Sequence, residues 1–160
     1  MGSIQTQETP ENTTNTPAQN TPPELIIRYP TFNEHATIAD YQIKMALETE
    51  SLQLEPYTVN CGVTNFIESG NYYLVCEHKS QVTGCLGVTV QYEVNTNELI
   101  GWLESVYVER RNRKRGFFKA MLRHNFGVAR EKGFSKLRLY VEDHNEIALK
   151  TYRNQGFYGL

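Results

Sequence analysis

Cysteine is scarce in this chain of 160 residues, and tryptophan scarcer, with three of the first and one of the second. Cys61, Cys76 and Cys85 are odd in number and none stands in a Cys-x-x-Cys pair. That spacing argues against a disulfide framework or a zinc site, and a reducing, cytoplasmic compartment is expected. His35, His78, His124 and His144 share no metal-like spacing, so no metal is expected. No apolar run approaches the roughly 20 residues of a membrane helix, and the first residues form no hydrophobic signal segment, so no membrane association is expected. Positive charge is thin outside one place. Five of the 16 Lys and Arg lie between Arg110 and Arg115, leaving 11 against 18 Asp and Glu. A nucleic-acid-coating protein would spread basic charge over a face, so no nucleic-acid partner is expected. Apolar residues are few from Met1 to Pro23, which is mostly Thr, Asn, Gln and Pro. This stretch reads as a disordered polar tail, residues 1–23, ahead of one domain over 24–160. Its first residues formally fit a myristoylation pattern, but no Lys or Arg that would help hold an anchor appears before Arg28.

What the chain does have is concentrated between Gly101 and Leu122. Trp102, Val106, Tyr107 and Val108 suit a half-buried strand. From Gly116, Phe118, Met121, Leu122, Phe126 and Ala129 recur at helical spacings. Between them lies the basic run, closed by a glycine. A strand that empties through a basic turn into a helix N-terminus favours an anion, because the first helical N–H groups lack intrahelical partners and the macrodipole is positive there. Gly116 puts no Cβ in the way of a phosphate.

The rest reads in order. Glu24–Tyr29 is a strand stopped by Pro30. Asn33 or Thr37 caps a helix running to about Leu54, and Pro56 breaks it. A second helix covers Tyr57 to Ser69. The strands 71–77 and 81–93 form a hairpin turning at His78–Ser80, and Asn95–Asn97 turns into the central strand. The basic helix ends at Lys132-Gly133. Residues 136–142 alternate as a strand, and Asp143 or Asn145 caps a last helix that Gly156 terminates. The expected fold class is α/β (α+β), a mixed central sheet flanked by helices.

Two motifs carry a resemblance. Arg113-Lys-Arg-Gly116-Phe-Phe118 resembles the Arg/Gln-x-x-Gly-x-Gly/Ala pyrophosphate loop of the GNAT superfamily of acyl-CoA-dependent N-acetyltransferases. Asn145-Glu-Ile-Ala148-Leu-Lys-Thr-Tyr152-Arg-Asn-Gln-Gly156-Phe157 resembles its second signature, Asn-x-x-Ala-x-x-x-Tyr-x-x-x-Gly-Phe. The resemblance implies transfer of an acetyl group from acetyl-CoA to a primary amine, on a small molecule or a peptide, in a ternary complex. It implies that Val106, Tyr107 and Val108 meet the pantetheine arm, with Asn145. It assigns the pyrophosphate to Arg113, Lys114, Arg115, Gly116, Phe117, Phe118 and Lys119. Tyr152 is the implied acid for the CoA thiolate and Glu104 the implied base for the amine. Phe118 departs from the usual Gly or Ala. The family also closes with a further strand, which here is short or missing; a partner chain supplying it would make a homodimer. In this superfamily the first two helices shape the acceptor pocket, and Glu48, Glu50, Glu55 and Glu68 there favour a cationic amine. The alternative is a non-catalytic acyl-CoA-binding or interaction module on the same fold.

Overall fold

The computed structural model describes residues 1–9 and 24–159. Seven strands and four α-helices follow in the order β1 (Gly2–Glu8), β2 (Leu25–Arg28), α1 (His35–Glu50), α2 (Pro56–Glu68), β3 (Tyr72–His78), β4 (Gln81–Glu93), β5 (Glu98–Val108), α3 (Phe117–Lys132), β6 (Lys136–Glu142), α4 (Glu146–Asn154) and β7 (Tyr158–Gly159). From β2 to α4 this is the expected order. The chain falls into two compact units, and β4, β5 and α3 run through both.

The first unit holds residues 1–9, 89–104 and 126–159 of the described chain. Its strand order is β4-β5-β6-β1-β7. Parallel pairing joins β5 to β6 over Ile100–Trp102, with Ile100 opposite Lys136 and Trp102 opposite Arg138. β1 then lies antiparallel to β6 along its whole length, from Gly2 opposite Glu142 to Glu8 opposite Lys136. Residues 2–8, expected inside a disordered tail, are therefore a sheet strand, with Gln5 and Thr6 buried. Backbone pairing to an open edge orders them in spite of their polarity, and such pairing leaves little trace in hydropathy. Residues 10–23 of the expected tail lie outside the described residues. The closing strand is as short as expected: β7 has two residues and pairs with β1, Thr6 opposite Tyr158. The edge of β6 is thus covered by the chain's own first strand.

The second unit holds residues 24–88 and 105–125, in strand order β2-β3-β4-β5. The hairpin of β3 and β4 turns through Lys79 and Ser80, both with positive φ, the backbone that a two-residue hairpin turn requires. α1 and α2 bury Ile38, Ala39, Tyr41 and Val63 against Tyr73, Val75, Cys85 and Tyr107 of the strands. α1 stops at Glu50, four residues before the expected end, because Ser51 turns left-handed at φ 51°. Pro56 opens α2 rather than breaking a helix. Proline suits a first helical position, and Glu55 caps it by accepting from Tyr57 N at 3.0 Å and Thr58 N at 2.7 Å. Among the described residues no helix is long and apolar enough to cross a membrane, and no group of His, Cys, Asp and Glu is arranged to hold a metal ion.

Candidate active site

The alternation of β5 is interrupted at Ser105, whose φ of 53° lies in the left-handed region that non-glycine residues avoid. An irregular residue inside a strand re-aims its neighbours, and such features gather beside active sites. Ser105 sits between Glu104 and Val106, at the point the sequence marks for chemistry. Its carbonyl accepts from Cys85 Sγ at 3.6 Å. Burial pushes the Cys85 thiol up to about 12, so this sulfur stays protonated and is no nucleophile near neutral pH. Gly84, next to it on β4, allows the close passage of β5. A Cβ there would stand 2.7 Å from the carbonyl oxygen of Tyr107.

Beyond Val108 the chain turns tightly. Glu109 N donates to Thr83 O at 2.8 Å, holding the strand end to β4. Arg110–Asn112 form a single 3-10 turn with Asn112 buried at its base, its N–H on Glu109 O at 2.8 Å. Arg113 is extended, Lys114 is left-handed at φ 61°, and Gly116 is left-handed at φ 82°. Left-handed residues set among extended and helical ones are the backbone pattern in which N–H groups converge in an anion nest. The first α3 bond runs from Ala120 N to Gly116 O at 3.0 Å, so the nest opens directly onto a helix N-terminus. Lys114, Arg115 and Lys119 are exposed around it. This cradle fits a pyrophosphate. Of the two phenylalanines that follow, Phe117 takes the core, 2% exposed, with an edge contact to His78 and the Arg115 guanidinium 5.3 Å from its ring centre. Phe118, at the family's small-residue position, is half-buried.

Arg113 behaves differently from the other cations of the run. Its Nε donates to Val108 O at 2.8 Å, and its Nη2 donates to Glu48 Oε2 at 2.9 Å and Oε1 at 3.3 Å. The guanidinium also lies over the Tyr107 ring, 5.2 Å from its centre. Glu48 further accepts from Tyr107 OH at 3.3 Å and faces Arg110 at 3.6 Å. Arg113 beside it holds the Glu48 carboxyl below the usual carboxylate range. Of the four glutamates taken to attract a cationic acceptor, Glu48 is thus occupied by arginine and Glu55 by the cap of α2. Nothing in the sequence pairs Glu48 with a residue 65 positions away.

In the second unit the structure brings together Val106, Tyr107, Val108 and the loop from Arg113 to Lys119. Glu104, Asn145 and Tyr152 belong to the first unit. Glu104 is exposed on β5. Asn145 caps α4, its Oδ1 accepting from Ala148 N at 3.1 Å. Tyr152 is partly buried on α4 with its ring edge-on to Phe157 at 5.7 Å, and burial raises its phenol. Gly156 then turns left-handed at φ 93°, which lets Phe157 N reach back to Tyr152 O at 3.0 Å and tucks Phe157 into the core. The Gly-Phe of the second motif is therefore a helix stop that fixes the end of α4 around Tyr152. Sequence reasoning missed Ser105, Asn112, Lys114 as a left-handed residue, and the pairing of Glu48 with Arg113.

The model of the acetyltransferase (GNAT) family matches residues 34–157. No curated protein sequence matches the chain. Among solved structures, a possible acetyltransferase from Clostridium difficile 630 is 26% identical, with a TM-score of 0.75 over 84% of this chain and 90% of that one. The ribosomal-protein-alanine N-acetyltransferase of Brucella melitensis is 21% identical, TM-score 0.72, covering 83% and 84%. A predicted acetyltransferase from Clostridium acetobutylicum solved with acetyl-CoA is 15% identical, TM-score 0.65, covering 80% and 88%. The last two likenesses speak to the fold alone.

Proposed function

Because the chain belongs to the GNAT acetyltransferase family, we propose that it moves an acetyl group from acetyl-CoA to a primary amine by direct transfer in a ternary complex. The observation that carries this reading is the nest of Lys114 and Gly116 at the head of α3, set directly behind the irregular strand end at Ser105.

Acetyl-CoA, when bound, supplies the acetyl group as a thioester. The nest and the α3 N-terminus would take its pyrophosphate, with Lys114, Arg115 and Lys119 adding charge. Val106 to Val108 would offer their backbone to the pantetheine arm, and the family resemblance gives Asn145 a hydrogen bond to the same arm. Glu104 would take a proton from the acceptor ammonium, directly or through a water, so that the free amine can attack the thioester carbonyl. As the carbon–sulfur bond breaks, Tyr152 would pass its phenolic proton to the departing sulfur, and the second proton leaving the acylated nitrogen would restore the phenol through solvent. A phenol raised by burial stays protonated at neutral pH and is available as an acid. Direct transfer accords with a Cys85 thiol that burial keeps protonated. The acceptor is a small-molecule or peptide amine in the cytoplasm.

Release of CoA thiol from acetyl-CoA, followed across a broad panel of amines, tests the reading. Wild-type protein is expected to consume the thioester with at least one amine class, and Tyr152→Phe to lower turnover about a hundredfold or more with cofactor affinity nearly unchanged. Unaltered turnover in Tyr152→Phe would remove the tyrosine from its role. Binding of CoA with no turnover on any amine would leave an acyl-CoA-binding module instead.

A further inference from the structure

One face of α1 carries Asp40, Lys44 and Glu48 at successive intervals of four. Lys44 Nζ meets Asp40 at 2.9 Å and Glu109 at 3.2 Å, and Glu48 meets Arg113 at 2.9 Å. Residues 109 and 113 bracket the 3-10 turn that leads into the nest, so α1 grips that turn at both ends. Aromatic rings fill the space beneath. Tyr41 and Tyr107 stack at 5.0 Å, Tyr41 is tied by its hydroxyl to Val82 O at 2.9 Å, and Tyr107 is tied to Glu48. The Arg113 guanidinium gives Nε to Val108 O and Nη2 to Glu48, both protein groups. A planar fork held on two sides defines an orientation that a lysine ammonium would not.

We propose that Glu48 is a positioning residue for the phosphate loop: its carboxylate holds Arg113 against the end of β5, and this fixes where the left-handed turn at Lys114 begins. This rests on the acetyl-CoA reading of that loop. Arg113 is then a strut of the loop, and the cations that meet the phosphates are Lys114, Arg115 and Lys119. Glu48 has no part in recognising the acceptor amine. Loss of the clasp leaves Lys114 and Gly116 in place chemically but lets the loop that carries them sample other orientations. The cost falls on cofactor binding, because a preformed nest no longer awaits the anion.

Calorimetric titration of free CoA into four proteins tests this: wild type, Glu48→Gln, Arg113→Gln and the double variant, with Glu131→Gln, exposed on α3, as a control. Glu48→Gln is expected to raise the Kd for CoA about fivefold, a modest change because both partners are partly exposed. It should also raise KM for acetyl-CoA while kcat stays within about twofold. Glu131→Gln should match wild type. In the Arg113→Gln background, Glu48→Gln should have no further effect, because its partner is gone. An unchanged Kd in Glu48→Gln, or the same fold-loss in both backgrounds, overturns the proposal. So does a rise in KM for the amine with CoA affinity intact, which would place Glu48 in the acceptor pocket. Failure of wild-type protein to bind CoA overturns the acetyl-CoA reading and this proposal with it, whereas wild-type binding with an unaltered Glu48→Gln overturns the proposal alone.

Discussion

Replacing Gly84 with alanine puts a methyl group where β4 passes β5. The added carbon would lie 2.7 Å from Tyr107 O, 3.3 Å from Val108 Cα and 3.4 Å from Met121 Cε. The first two are backbone atoms and cannot turn aside by changing rotamer, so β5 itself must move. Overpacking of this kind costs about 1–3 kcal/mol. At about 2–4 °C per kcal/mol for a domain of this size, the thermal midpoint should fall by about 2–12 °C. The displaced residues, Tyr107 and Val108, are those proposed to meet the pantetheine arm, so CoA affinity should fall together with stability. Gly101→Ala separates the two effects. Its methyl would meet ring atoms of Phe134 at 2.7 and 2.8 Å and Leu137 Cδ2 at 3.0 Å, which are side chains that can shift. Gly101→Ala should lose less stability and leave CoA affinity unchanged. Circular-dichroism melts with calorimetric CoA titrations read both quantities. A Gly84→Ala protein that melts with wild type, or that melts early yet binds CoA as tightly, would refute the reasoning.

Arg28 donates to both oxygens of Glu34, at 2.7 and 2.9 Å, and chiefly this holds the Glu34 carboxyl at about 2, well under its ordinary 4.5. A folded pKa below the unfolded one means that the pair's contribution is whole above pH 4.5 and is lost as pH falls toward 2. The difference in midpoint between wild type and Glu34→Gln should shrink over that window, and a difference independent of pH would contradict the assignment. Deleting residues 1–9 strips the partner from β6 and bares a sheet edge, so a lower midpoint and concentration-dependent self-association in light scattering are expected. A truncated chain that is monomeric and as stable as the full one would show that β1 is dispensable.

Much of the architecture was legible in the sequence because periodicity and punctuation agreed. α3 follows the three- and four-residue spacing of its apolar residues, with buried Met121, Leu122 and Ala129, and the hairpins turn where Ser80 and Asn97 tolerate positive φ. Asn145 caps α4 as its residue type suggests. What escaped depends on long-range partners. β1 is polar and is ordered by backbone pairing with a strand more than 130 residues later. Ser105, inside β5, adopts a left-handed conformation that no residue preference for serine would suggest. Glu48 lies among several glutamates, and only tertiary placement singles it out as the partner of Arg113. The run of cations marked the loop proposed to hold phosphate, but which of its arginines faces the protein is a matter of geometry.

Thermal melting with and without acetyl-CoA tests the central claim most directly. A ligand that binds only the folded chain stabilises it by about 2.7 kcal/mol at a hundredfold excess over its Kd, which corresponds to a rise in midpoint of about 5–11 °C here. The account predicts that rise for acetyl-CoA and for free CoA alike, since both carry the pyrophosphate that the loop is proposed to receive. An unmoved midpoint at millimolar concentrations of both would contradict it.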